Sequence, residues 1–168
     1  MTSQNATSGQ RVASPFVVLP GEGETVRGPA GGPTTVKARA ETTGGTVTAL
    51  ENVVAPGQGP SLHLHIREDE MYYVLEGLLH FQAGACTFDA PTGSFVFIPR
   101  GTPHYFQNVG KDPARILVMF TPAGMERFFE GQAALPPGSP DPAAYRAIAD
   151  SAWMEILGPP MAATQDGR

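Results

Sequence analysis

The chain has a single cysteine, Cys86, so no internal disulfide can form and cysteine usage gives no reason to expect an oxidising compartment. It also lacks long hydrophobic runs. Stretches such as Phe16–Leu19 and Ile116–Phe120 are of strand length, far short of the roughly 18 apolar residues a membrane span needs. Positive charge is scarce: 11 Lys and Arg are scattered among 168 residues and the formal net charge is −5. A nucleic-acid binder needs a basic patch to neutralise phosphate, and an anionic membrane surface makes the same demand, so both partners are excluded. The first residues, MTSQNATSGQRVASP, show no apolar segment after a basic start, which leaves a soluble cytoplasmic protein as the expectation.

What the sequence does have is turn chemistry. Its 20 glycines and 17 prolines fall between short apolar runs, which points to many turns rather than to disorder. The runs are Phe16–Leu19, Thr34–Ala38, Thr46–Val54, Ser61–Ile66, Met71–Leu75, Leu78–Gln82, Cys86–Phe88, Ser94–Ile98, His104–Asn108 and Arg115–Phe120. Such spacing, with no helical period between the runs, predicts an all-β sandwich or barrel. Met71–Leu75 and Leu78–Gln82, separated by Glu76-Gly77, read as a tight hairpin. After Phe120 the pattern changes. Met125, Phe128 and Phe129 share a helical face, and Asp141-Pro142 offers an N-cap with proline at the first helical position. Two short C-terminal helices are therefore expected, with a loop over 135–140. The expected organisation is a flexible tail at 1–15, one domain over 16–160 with helices from about 123, and a fraying end from Gly158, its last stretch a tail at 161–168.

Chemistry concentrates in two glycine-framed blocks. In the first, His63 and His65 lie two apart on a strand, so both rings point to one face, and Glu70 opens the next strand. In the second, His104 begins a strand just after Pro99-Arg100-Gly101. Three imidazoles and a carboxylate form a donor set of intermediate hardness, suited to iron(II), manganese, cobalt, nickel or zinc. Four protein ligands on a six-coordinate ion leave positions open, as in a catalytic site. His80 has no acidic or histidine neighbour at a ligand spacing and reads as an ordinary surface or packed histidine. Counting along the strands puts Tyr72 and Val74 on the face of Glu70, and Phe106 on that of His104. Phe95, Phe97, Met119 and Phe120 are further candidates for the pocket wall, although aromatics in a small barrel are more often plain core. Tyr72 could bond a substrate oxygen or Glu70.

These blocks resemble the two motifs of the cupin superfamily. Gly57, His63-x-His65, Glu70 and Gly77 match the first, and Gly93, Pro99-x-Gly101, His104 and Asn108 the second, with every spacing met. The looser likeness is to small one-barrel quercetin-dioxygenase-like cupins. It rests on the PGQGP stretch from Pro56, on TPAGME from Thr121, and on the final Leu157-Gly158-Pro159-Pro160. The resemblance implies a cupin-type antiparallel β-barrel (a double-stranded β-helix, or jelly roll) with one divalent transition metal on His63, His65, Glu70 and His104. It further implies a dioxygenase acting on an enolic or phenolic small molecule of the flavonol or aromatic-polyketide kind, with Glu70 also serving as the base. Two alternatives stay open: a metal-dependent isomerase, lyase or polyketide cyclase without oxygen chemistry, and a non-catalytic small-molecule-binding cupin. A homodimer is expected, with the Phe16–Leu19 strand crossing to the partner or covering its own barrel edge.

Overall fold

Strict alternation drives the architecture. In the segment TALENVV, Thr48, Leu50, Asn52 and Val54 are buried and the residues between them are half-buried, the signature of a strand with one face on a core. The structure is a computed structural model that describes residues 13–136 and 141–161. In chain order the strands are β1 (Glu24–Arg27), β2 (Pro33–Ala38), β3 (Thr48–Val54), β4 (Ser61–His65), β5 (Asp69–Glu76), β6 (Leu78–Ala83), β7 (Cys86–Pro91), β8 (Phe95–Ile98), β9 (His104–Asn108), β10 (Ala114–Thr121) and β11 (Met154–Pro160). Helix α1 (Ala40–Thr43) follows β2, and α2 (Glu126–Ala134) and α3 (Pro142–Ser151) precede β11.

The strands form two antiparallel sheets, ordered β1-β2-β3-β10-β5-β8 and β11-β4-β9-β6-β7. This is the jelly-roll form expected of an all-β chain with short helices. Inward residues of both sheets make the core. Tyr72, Phe81 and Phe106 meet at its centre, with ring centroids 5.2 to 5.6 Å apart and two of the three contacts edge-on. Helices α2 and α3 close one end of the barrel. Phe128 packs edge-on against both Phe129 and Tyr145, while Asp141 caps α3 by accepting from the Ala143 N–H at 3.0 Å.

Several expectations are corrected. Met71–Leu75 and Leu78–Gln82 do not form a hairpin: β5 pairs with β8 and β10, while β6 pairs with β7 and β9. Glu76-Gly77 instead carries the chain from one sheet to the facing one. Gly77 has φ +100°, and a Cβ there would sit 2.7 Å from that of Ala114, so the sharp crossing needs glycine. Phe16–Leu19 is not a strand. Bracketed by Pro15 and Pro20, Phe16, Val18 and Leu19 lie in a surface cleft with Leu75 and Leu117, on the outside of the first sheet. Strands β1 and β11 were not expected, and β11 contradicts fraying from Gly158, because Pro160 is in register with Ser61 of β4. The expected tails at 1–12 and 162–168, and 137–140 of the expected loop, lie outside the described residues.

Candidate metal centre

Register builds the centre. His63 and His65 alternate inward on β4, and His63 stands directly opposite His104 of β9. Glu70 comes from β5 in the other sheet. It meets the imidazoles across the barrel interior rather than returning beside them through a turn. Gly101, with φ +77°, donates its N–H to the His65 carbonyl at 2.7 Å and so places His104 at the head of its strand. One donor atom from each of His63, His65, Glu70 and His104 lies within 4.8 Å of the others, and all four residues are buried.

The hydrogen bonds orient these donors as a metal would require. The Nδ1 of His63 donates to the Ser61 carbonyl at 2.7 Å, and that of His104 to the Thr102 carbonyl at 2.9 Å. A carbonyl can only accept, so each Nδ1 carries a hydrogen, which leaves Nε2 as the atom each ring can offer to an ion. The Nε2 atoms of His104 and His65 approach Glu70 Oε2 at 2.7 and 3.0 Å. His65 nevertheless makes no aligned hydrogen bond through either ring nitrogen. A buried imidazole left orphaned beside a carboxylate, with three others converging on the same point, fits a cation between them.

Electrostatics favour the ligating protonation states of His63 and Glu70 but not that of His104. Burial, joined by the His104 and His65 rings, lowers His63 to about 3. Burial acts to raise Glu70, but the neighbouring His65 and His104 hold it well below the usual carboxylate range. For His104 burial acts downward and is outweighed by its hydrogen bond to Glu70, so it rises. Burial, then the charge and hydrogen bond of Glu70, push Tyr72 well above 10.

Residues 51–120 match the family model described as a cupin domain. The barrel resembles an RmlC-like cupin from Shewanella frigidimarina, 17% identical, with a TM-score of 0.58 over 68% of this chain and 97% of that one; at that identity the likeness shows fold alone. Residues 51–120 of this chain are thus similar to a cupin domain, and they carry all four residues of the cluster. Among curated relatives, it is 36% identical over 67 residues to the uncharacterized protein MJ1618 of Methanocaldococcus jannaschii, covering 40% of this chain and 54% of that one. It is 33% identical over 70 residues to the polyketide synthase CurC of Streptomyces cyaneus, covering 42% and 46%. The chain spans about half the length of these relatives.

The centre opens into a cavity with about 40 Å³ of free space. Tyr72 and Phe106 line it as expected, together with Phe120. Val74 shares the inward face of Glu70 but is sealed in the core. The expectation fails for Phe95 and Phe97, which are 59% and 53% exposed on the outer face of β8 while Val96 and Ile98 point inward. Met119 likewise faces away from the cavity, between the buried Val118 and Phe120. Sequence reasoning missed Asn52, Ser61, Phe128, Phe129, Tyr145 and Met154 as cavity residues. The inward parity of Asn52 between Leu50 and Val54 was a usable signal; the contribution of the helices was not readable before their docking was known. His80 is no ligand: its ring lies 2.6 Å from Asp89, its cross-strand neighbour. Asn108 holds its own loop, bonding the Val54 and Asp112 carbonyls at 2.9 Å each. Cys86 is exposed and free, and among the described residues no helix is long and apolar enough to cross a membrane.

Proposed function

We propose that this chain is a metal-dependent enzyme acting on an enolic or phenolic small molecule of the flavonol or aromatic-polyketide type, with dioxygenase chemistry as the leading reading. The observation that supports it most is that His63, His65 and Glu70 of the four-residue cluster line a cavity whose wall is mostly apolar, with Phe106, Phe120, Phe128, Phe129 and Met154. When bound there, a divalent first-row ion supplies Lewis acidity that lowers the pKa of an enol. The chain's own residues do the rest. Aromatic walls exclude water and accept a flat ring. Glu70, whose Oε2 faces the imidazoles, is the carboxylate that would receive the enol proton.

The free space of about 40 Å³ has room for an ion and a few waters, each needing on the order of 10–15 Å³, but not for a ring system. A flavonol-sized substrate would therefore place its reactive edge inside and extend past Pro29, Ser61, Tyr145 and Ile156, the residues shared with an open outer groove. An alternative without oxygen chemistry, as isomerase, lyase or cyclase, draws support from the relative named a polyketide synthase. An oxygen-electrode trace with quercetin separates the two. Oxygen uptake that disappears in His65→Ala and Glu70→Gln fits the dioxygenase; turnover without uptake overturns it in favour of the alternative.

A further inference from the structure

Asn52 is a polar side chain of this cavity that neither the metal cluster nor the fold satisfies. It projects inward from β3, is 9% exposed and lines the same cavity as Glu70. Its Oδ1 is buried without a hydrogen-bond partner. Its cross-strand neighbours are Thr34 of β2 and Ile116 of β10, and the Thr34 Oγ1 is also buried and unpartnered. Every inward position of the neighbouring β10, namely Ala114, Ile116, Val118 and Phe120, is apolar, so a leucine at 52 would suit that side of the core better than an amide with an orphaned oxygen. A buried acceptor of this kind is satisfied only by a donor that arrives in the cavity.

We infer that Asn52 orients the substrate, its Oδ1 accepting a hydrogen bond from a hydroxyl on the part of the molecule remote from the metal centre. The inference rests on the proposed function and narrows its substrate class. In the sheet, Glu70 is in register with Phe120 and Thr48, whereas Asn52 is in register with Ile116. The two residues therefore stand two strands and four residues apart, or ~16 Å between Cα atoms from strand spacing and rise. Both side chains reach inward and shorten that span. A linked two- or three-ring polyphenol, carrying an enolic oxygen at one end and a free hydroxyl at the other, matches that span, and the side chains of α2 and α3 that wall the cavity, Phe128, Phe129 and Tyr145, must move outward to admit it. A single-ring enol would leave Asn52 empty.

The test uses the full chain loaded with metal, held without oxygen so that nothing turns over. Binding of quercetin and of 3-hydroxyflavone, which shares the enolic oxygen but lacks the other ring hydroxyls, is read from their absorbance shifts. The wild type is expected to prefer quercetin by about tenfold or more, since a site with an unmet polar group discriminates against the ligand that cannot pair it. In Asn52→Leu the preference should collapse, with 3-hydroxyflavone affinity changed less than about threefold and the melting temperature unchanged or raised, because the orphan is gone. Asn52→Ser supplies a second folded variant with the same expected loss. Retention of the preference in both variants, or its absence in the wild type, overturns the assignment. A sharp fall in melting temperature for both variants overturns it too, since Asn52 would then serve a buried structural water shared with Thr34. Failure of both flavonols to bind the metal-loaded wild type removes the proposed function, and this assignment with it.

Discussion

Removing the Glu126 carboxylate should loosen the lid of the cavity in a pH-dependent way. Glu126 opens α2 and is buried at the junction of three elements: it accepts from the Ala40 N–H at 2.9 Å and from the Thr48 hydroxyl. Thr48 Oγ1 in turn accepts from the Gly124 N–H at 3.0 Å. Two hydrogen bonds to a charged group at ~1.5 kcal/mol each give about 3 kcal/mol for Glu126→Ala. For a domain of this size that is a fall of roughly 6–12 °C in melting temperature. Burial acts to raise the Glu126 carboxyl, but the Thr48 hydroxyl and the Ala40 N–H outweigh it, and its pKa lies below the ordinary 4.5. A depressed carboxylate contributes its full stability above the unfolded value and loses it as pH falls through the folded one. The gap between wild type and variant, followed by thermal denaturation, should therefore be full at pH 7 and narrow as pH falls below 4.5. A variant within about 1 °C of wild type at pH 7, or a gap that persists undiminished in acid, would refute the reasoning.

Further substitutions test the corrected fold. Gly77→Ala combines a φ of +100° with a Cβ 2.7 Å from Ala114; left-handed strain and overpacking together should cost about 2–4 kcal/mol in chemical denaturation. Gly93→Ala, at φ +89° with nothing within 4 Å, should cost only the strain, about 1–2 kcal/mol; equal losses at the two sites would contradict the crossing between sheets. Replacing Phe95 and Phe97 by serine, at 59% and 53% exposure, should shift stability by no more than about 0.5 kcal/mol each and leave the KM for any substrate unmoved. A raised KM would return them to the cavity wall.

The three histidines were legible because their placement is encoded locally, whereas Glu70 was found by motif spacing and reaches them from the facing sheet. The His63-x-His65 spacing fixes one face of one strand, and Pro99 and Gly101 fix where the strand of His104 begins. Strand pairing was not. Nothing in Glu76-Gly77 says whether the chain turns back within a sheet or crosses to the facing one, because the partners that decide it, β8 and β10, lie far along the sequence. Parity failed at β8 for a related reason. All four residues of Phe95-Val96-Phe97-Ile98 are apolar, so alternation carries no sign, and the aromatic pair took the outer face of an edge strand. Strand β11 was hidden because Gly158, Pro159 and Pro160 disfavour strand. It forms through docking against the outer edge of β4, where a proline can be tolerated.

Elemental analysis of untagged protein, purified from cells and again after reconstitution, tests the metal assignment most directly. About one equivalent of a first-row divalent ion is expected in the wild type and little in Glu70→Gln or His104→Ala, with both variants still folded. Protein that holds no ion even after reconstitution, or variants that keep a full equivalent, would contradict a metal centre at His63, His65, Glu70 and His104.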